Sequence, residues 1–546
     1  MLKKRVWLGA ALLEFMFITW VVAQLAPLHL TPQQSAQINR LAAEAQEAIM
    51  QFPEWGIERN NLMQLVLIYS ELGEPERAHA VIQVIRKKYE AVSEANASGQ
   101  NPRGVARFAP NPLMELSMIA SEAAQFGDTK DALDIMQDIG YQDRTGMALN
   151  MISIKQAQAG DVQGGLQTAA RIRPEGMRDG AIGQIIYSAL QNHDVPGAVA
   201  AAGQMTPSPE KVEQLAAIAH AQLLAGDREA ATRTVAEAQK IALQLPEQPP
   251  PGPQNFSVSY QCSPGPNHSP REAALQFVAQ GQWELGDHAA ATATRDQIQT
   301  PSLKDQAMFN IVKADADANR FAEAVSLVEN LPEGECRNRA NAALASAEIT
   351  AGNVTEAIAR ASKIQPASSL TWTELAAKAK DPAAAAQLFA RARTAAASAP
   401  TEFQRAENLY FVAAMESPKP GFHEAYCQDS AEAIRLSREA SAKGERPPPG
   451  GMGGFRSWDP GYAEVHRLVN CGDLAQAKAM ALKEEGRSRE EEIGGVAFKQ
   501  AENGDLQGAE NWANSFTSPA ERASALMGVV DGALSQLRAQ AQAKPK

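Results

Sequence analysis

Aromatic residues supply only 6% of this 546-residue chain, and β-branched residues are thin as well. Both scarcities disfavour sheets and favour helices packed closely through small side chains. Basic residues are outnumbered, 51 against 63 acids, for a formal net charge of −12. Phosphate binding needs clustered Lys and Arg, so nucleic acid is not expected as a partner. Arg86-Lys87-Lys88 is the best basic run beyond the N-terminus, and three charges on one helix read as a solvated face. Catalytic and cofactor motifs are missing too: there is no phosphate-cradling glycine loop, HExxH, CxxC or GxSxG. His423 and Cys427 sit four apart on an expected helix, but two ligands do not make a metal site. No catalytic residue, cofactor or metal is therefore assigned.

The first thirty residues differ from the rest. Lys3, Lys4 and Arg5 precede an apolar run from Val6 to Ala23, and Val21-Val22-Ala23 offers the small residues of a cleavage site. The run continues through Leu25, Ala26, Leu28 and Leu30, long enough to span a bilayer if retained. Residues 1–30 are thus expected to be a signal peptide or an N-terminal anchor, with the remainder outside the cytoplasm, periplasmic or extracellular.

What the chain has in abundance is alanine, about one residue in five, arranged around a recurring break. In "LLAGDREAATRTVAEA", residues 223–238, a Gly-Asp pair interrupts an otherwise helical composition. Val212, Leu215, Ala216, Ala219 and Leu223 share one helical face before it, and Ala231, Val235 and Ala238 share one after it. Gly226 can end one helix in the left-handed conformation while Asp227 caps the next. The same turn position is held by Gly73, Gly127, Gly160, His193, Gly286, Asn319, Gly352, Lys380, Gly472 and Gly504. Five residues after each comes Ala, or Gly at 165, as a close crossing of two helices requires. From Gly127 through Gly160 and His193 to Gly226 every step is 33 residues, and 33 recurs from Gly286 through Asn319 to Gly352.

A helix, a tight turn and a second helix with a small inner residue, repeated in the low thirties, resembles the tetratricopeptide repeat family. The resemblance implies an all-α, right-handed α-solenoid of about twelve helix-turn-helix repeats, whose function is to bind a protein or peptide. The expected layout is a capping helix over 31–56, the array over 57–538 and a disordered tail over 539–546. Ser269-Pro270-Arg271-Glu272, Ser518-Pro519-Ala520-Glu521 and Thr31-Pro32-Gln33-Gln34 read as helix starts with capping boxes. Ser488-Arg489-Glu490-Glu491 reads as another start, which makes the carboxylates at 484, 485 and 490–492 a solvated first turn.

The period lengthens in three places, and insertions are assigned to 96–112, 246–269 and 443–460 along one edge of the array. They carry Arg103, Arg107 and Phe108; Phe256 and Tyr260; and Phe455, Arg456, Trp458 and Tyr462, residue types that anchor interfaces. These nine are the candidate partner-binding residues. Four cysteines in an exported chain allow three full pairings. The antiparallel order of successive helices puts Cys427 beside Cys471, which leaves Cys262 to Cys336 across about two repeats. The expected function is an exported, non-catalytic interaction scaffold of a bacterial-type cell envelope, touching membrane only through its N-terminal segment. An enzyme or a polysaccharide binder with its site in the groove is the alternative.

Overall fold

A computed structural model describes residues 30–543 apart from 52–54, 98–111, 126–127, 139, 142–145, 249–261, 263–268, 365–367 and 446–459. The N-terminal apolar run and most of each insertion lie outside these residues. Among the described residues there are 26 helices and no strand, and no helix is long and apolar enough to cross a membrane.

Single helices, Pro32–Ile49 and Pro519–Ala543, stand at the two ends, and the second corrects the expectation of a disordered tail from 539 by continuing as helix to Ala543. Between them the helices follow in chain order as twelve successive pairs: Trp55–Glu71 with Pro75–Ala97, Pro112–Gln125 with Thr129–Asp138, Met147–Gln158 with Val162–Ala169, and Glu175–Gln191 with Val195–Gly203. Pro209–Leu224 pairs with Arg228–Gln244, Pro270–Glu284 with His288–Asp296, Pro301–Asp317 with Phe321–Glu329, and Glu335–Ala351 with Val354–Ala361. The last four are Ser369–Lys378 with Pro382–Ala397, Glu402–Glu416 with His423–Ala442, Pro460–Asn470 with Leu474–Ala481, and Gly486–Glu502 with Leu506–Ala513.

The turns work as local chemistry dictates. Gly226 has φ 83°, and even His193 and Asn319 take φ 59° and 57° at the same position. The following Asp then accepts from the backbone N–H three residues on, as Asp227 does from Ala230 at 2.9 Å and Asp505 from Gly508 at 2.9 Å. Five residues beyond the turn the side chain is buried in every hairpin where it was expected to be small, Ala231, Ala324 and Ala477 being fully buried.

Four expectations about turns, caps and exposure need correction. Lys380 does not occupy the left-handed turn position. Its hairpin turns through extended Ala379 (ψ 123°) and Asp381 (ψ 124°), because a Cβ disfavours positive φ and Pro382 forces its predecessor out of the helical region. Ser488 is not a cap, since that helix starts two residues earlier at Gly486; Arg489, bonded to Glu521 and to the Leu482 carbonyl, ties down its first turn. Glu492, expected in solvent, is buried. The Thr31 capping box is complete, but Glu272 reaches away from Ser269 to bind the N–H groups of Gln299 and Thr300 and the Thr300 hydroxyl.

The chain divides into two compact units, 156–429 and a discontinuous one of 1–155 with 430–546. In the discontinuous unit, Pro519–Ala543 packs on both Gly486–Glu502 and Pro32–Ile49, burying Leu526, Val530 and Leu534 with Ile38, Leu41 and Ile49. Arg40 pairs with Glu510 at 3.0 Å and Gln64 donates to Asp531 at 2.6 Å, so the two ends of the chain share one core. In the continuous unit, Trp372, Leu388, Phe389 and Phe422 form an apolar cluster, with the Phe389 and Phe422 rings edge to face at 5.1 Å. A second cluster gathers Phe309, Val312, Leu331 and Leu344 around Cys262 and Cys336.

Candidate interaction cleft

Within the continuous unit, the loop Pro332–Gly334 separates two adjoining clefts. The larger, 450 Å³, runs between Phe321–Glu329, the start of Glu335–Ala351 and the end of Val354–Ala361. Arg337, Asn338 and Asn341 reach it from one helical face, as their spacing of one and four residues requires. Asn341 is buried, donates to the Arg337 carbonyl at 3.0 Å, and has a side-chain carbonyl with no hydrogen-bond partner among the described residues. A buried acceptor left in that state costs about 1–3 kcal/mol, which a donor entering the cleft would recover.

The charges around Asn341 are not equivalent. Arg360 binds both oxygens of the buried Glu348, at 3.1 and 3.2 Å. Burial pushes the Glu348 carboxyl up while Arg360 pulls it back. Arg337 and Lys363 line the same cleft without an ion-pair partner among the described residues, and Glu329 and Glu333 mark its exposed rim. The lining thus offers two uncommitted cations and one uncommitted acceptor to an incoming polar chain.

The smaller cleft, 250 Å³, is lined by Ser302, Asp305, Glu333, Glu335 and the Cys262–Cys336 disulfide. That bond holds the two Cα atoms 4.7 Å apart and draws one residue of the second insertion into the core. Cys262 is buried and its N–H donates to Gln306 Oε1 at 2.7 Å. Burial raises the Asp305 carboxyl.

Of the nine candidate partner-binding residues, Arg103, Arg107, Phe108, Phe256, Tyr260, Phe455, Arg456 and Trp458 lie outside the described residues. Tyr462 falls in Pro460–Asn470 with its side chain also outside them. Cys427 and Cys471 are both disulfide-bonded. The Cys427 sulfur lies 3.9 Å from His423 Nε2, but a disulfide sulfur offers no thiolate to a metal. Arg337, Asn341 and Lys363 were not singled out by sequence. The available signal was Arg337-Asn338-Arg339 in the first turn of Glu335–Ala351, a run that occurs nowhere else in the chain.

No family model matches the chain, and no curated protein matches it. Solved structures that it overlaps include yeast Tom70, at 11% identity and TM-score 0.21, over 79% of this chain and 99% of that one. The pentatricopeptide repeat protein PPR10 in complex with an 18-nt psaJ RNA element overlaps at 13% identity and TM-score 0.23, over 96% and 82%. A circular tandem repeat protein overlaps at 11% identity and TM-score 0.13, over 93% and 99%. At such scores neither fold nor ligand is transferred. The class rests on this chain's own hairpins, which make it a TPR-like helical-repeat protein.

Proposed function

We propose that the protein is an exported, non-catalytic scaffold that binds an extended segment of a protein partner in the cleft of Arg337, Asn341 and Lys363. The observation that carries this reading is the unsatisfied, buried Asn341 carbonyl in a cleft that two unpaired cations also line. A peptide backbone supplies the N–H that Asn341 needs, and acidic side chains suit Arg337 and Lys363. Nucleic acid fits less well, because a phosphate backbone needs clustered Lys and Arg and this lining leaves only two cations unpaired.

The second insertion adds to the reading. Its Cys262, buried and bonded to Cys336, lines the smaller cleft next to the proposed docking site. Export, with the mature chain periplasmic or extracellular and tethered by residues 6–30 where these are retained, rests on the basic start and apolar run.

Capture from the native cell envelope tests the proposal. Full-length wild type should retain a partner that the double variant Arg337→Glu, Lys363→Glu holds at least tenfold more weakly, with helical content unchanged. Equal retention would overturn the cleft as the docking site, and recovery of the untagged chain only from the cytosol would overturn export.

A further inference from the structure

The first insertion, like the second, is bracketed by a cross-repeat cluster. His79 lies on Pro75–Ala97, the second helix of the first hairpin, while Asp128 and Asp131 stand at the start of Thr129–Asp138, the second helix of the next. One potential ligand atom from each lies within 4.8 Å of the others. Asp128 is placed there by capping, since one of its oxygens accepts from the Asp131 N–H at 3.0 Å. Asp131 is different: its side chain is 1% exposed, and its Oδ2 is ion-paired with His79 Nδ1, 2.5 Å away on a half-exposed ring. A buried carboxylate oxygen and an imidazole nitrogen thus stand side by side, with an Asp128 carboxylate oxygen within 4.8 Å of both.

We propose that His79, Asp128 and Asp131 bind a first-row divalent transition metal of the Zn²⁺ type. One imidazole nitrogen and two carboxylate oxygens are a suitable donor set, and three protein ligands leave a coordination position for water. Ligand bonds of about 2.0–2.2 Å need the His79 nitrogen and the Asp131 oxygen to be further apart than now. Rotation of the exposed His79 ring provides that without moving a helix. The cation would also offset the cost of holding the Asp131 carboxylate in the core beside a second carboxylate. Its structural effect would be to staple two hairpins across residues 98–111. A comparable tie occurs at the second insertion, where Cys262 is bonded to Cys336.

Calorimetric titration of chelator-stripped, full-length protein with zinc chloride, followed by a thermal melt with and without zinc, is the test. Wild type should take up about one zinc ion per chain and melt at higher temperature with it, as binding to the folded state alone requires. His79→Ala, at a half-exposed position that leaves the fold intact by circular dichroism, should weaken binding at least tenfold; Asp131→Asn should do the same. Asp134→Asn, a neighbouring acid outside the cluster, should bind as wild type does. No saturable uptake by wild type would overturn the site, and so would undiminished uptake by His79→Ala.

Discussion

Glu416 is fully buried at the end of Glu402–Glu416, where Arg393 bonds it and also reaches Asp429 at 2.5 Å. One guanidinium thus serves two carboxylates. Burial is the main reason that Glu416 is pushed up to about 8, with Arg393 opposing and Asp429 adding to the rise. A carboxyl raised in the folded state contributes stability that is complete below its unfolded value near 4.5. That contribution is lost as pH climbs through about 8. The protein should therefore melt several degrees lower at pH 9 than at pH 6. Glu416→Gln, which mimics the neutral form, should flatten that slope in thermal melts; a slope as steep as in wild type would show that other groups set it. Sequence offered no hint of this cluster, because its three residues come from three helices and meet only through packing.

Pro519–Ala543 shows how closely two helices can cross when side chains are removed. A Cβ built on Gly528 would fall on the Gly494 carbonyl oxygen, and one on Gly532 would fall on that of Phe498. Both obstacles are backbone, so the helices must separate to admit even a methyl group. Gly532→Ala should cost about 1–3 kcal/mol, as overpacking does, although alanine is the better helix former. Chemical denaturation would read the loss, and an unchanged midpoint would deny the close crossing. The helices themselves were legible because their signals are local: a residue tolerant of positive φ at 226, 286 or 472, Asp after it, and alanine five residues on. Where two local signals competed, the reading went astray. Pro382 overruled the turn expected at Lys380, and the contacts of Arg489 moved a helix start away from Ser488.

Periodicity describes each hairpin's relation to its neighbours, so it could not announce that the first and last helices share a core, or that the chain packs as two units. Nor could it assemble the cleft. Arg337 and Asn341 belong to one hairpin's first helix, Lys363 follows its second, and Glu329 belongs to the preceding repeat. The Arg and aromatic residues of the insertions were the more visible signal, and Cys262 links one insertion to the cleft's edge. The central claim, that a protein segment docks there, is tested most directly by hydrogen exchange on the scaffold alone and with its captured partner. Amide protection should increase over 328–341 and 354–363 and be lost in Arg337→Glu, Lys363→Glu. A partner that protects other repeats and leaves these stretches unchanged would contradict the account.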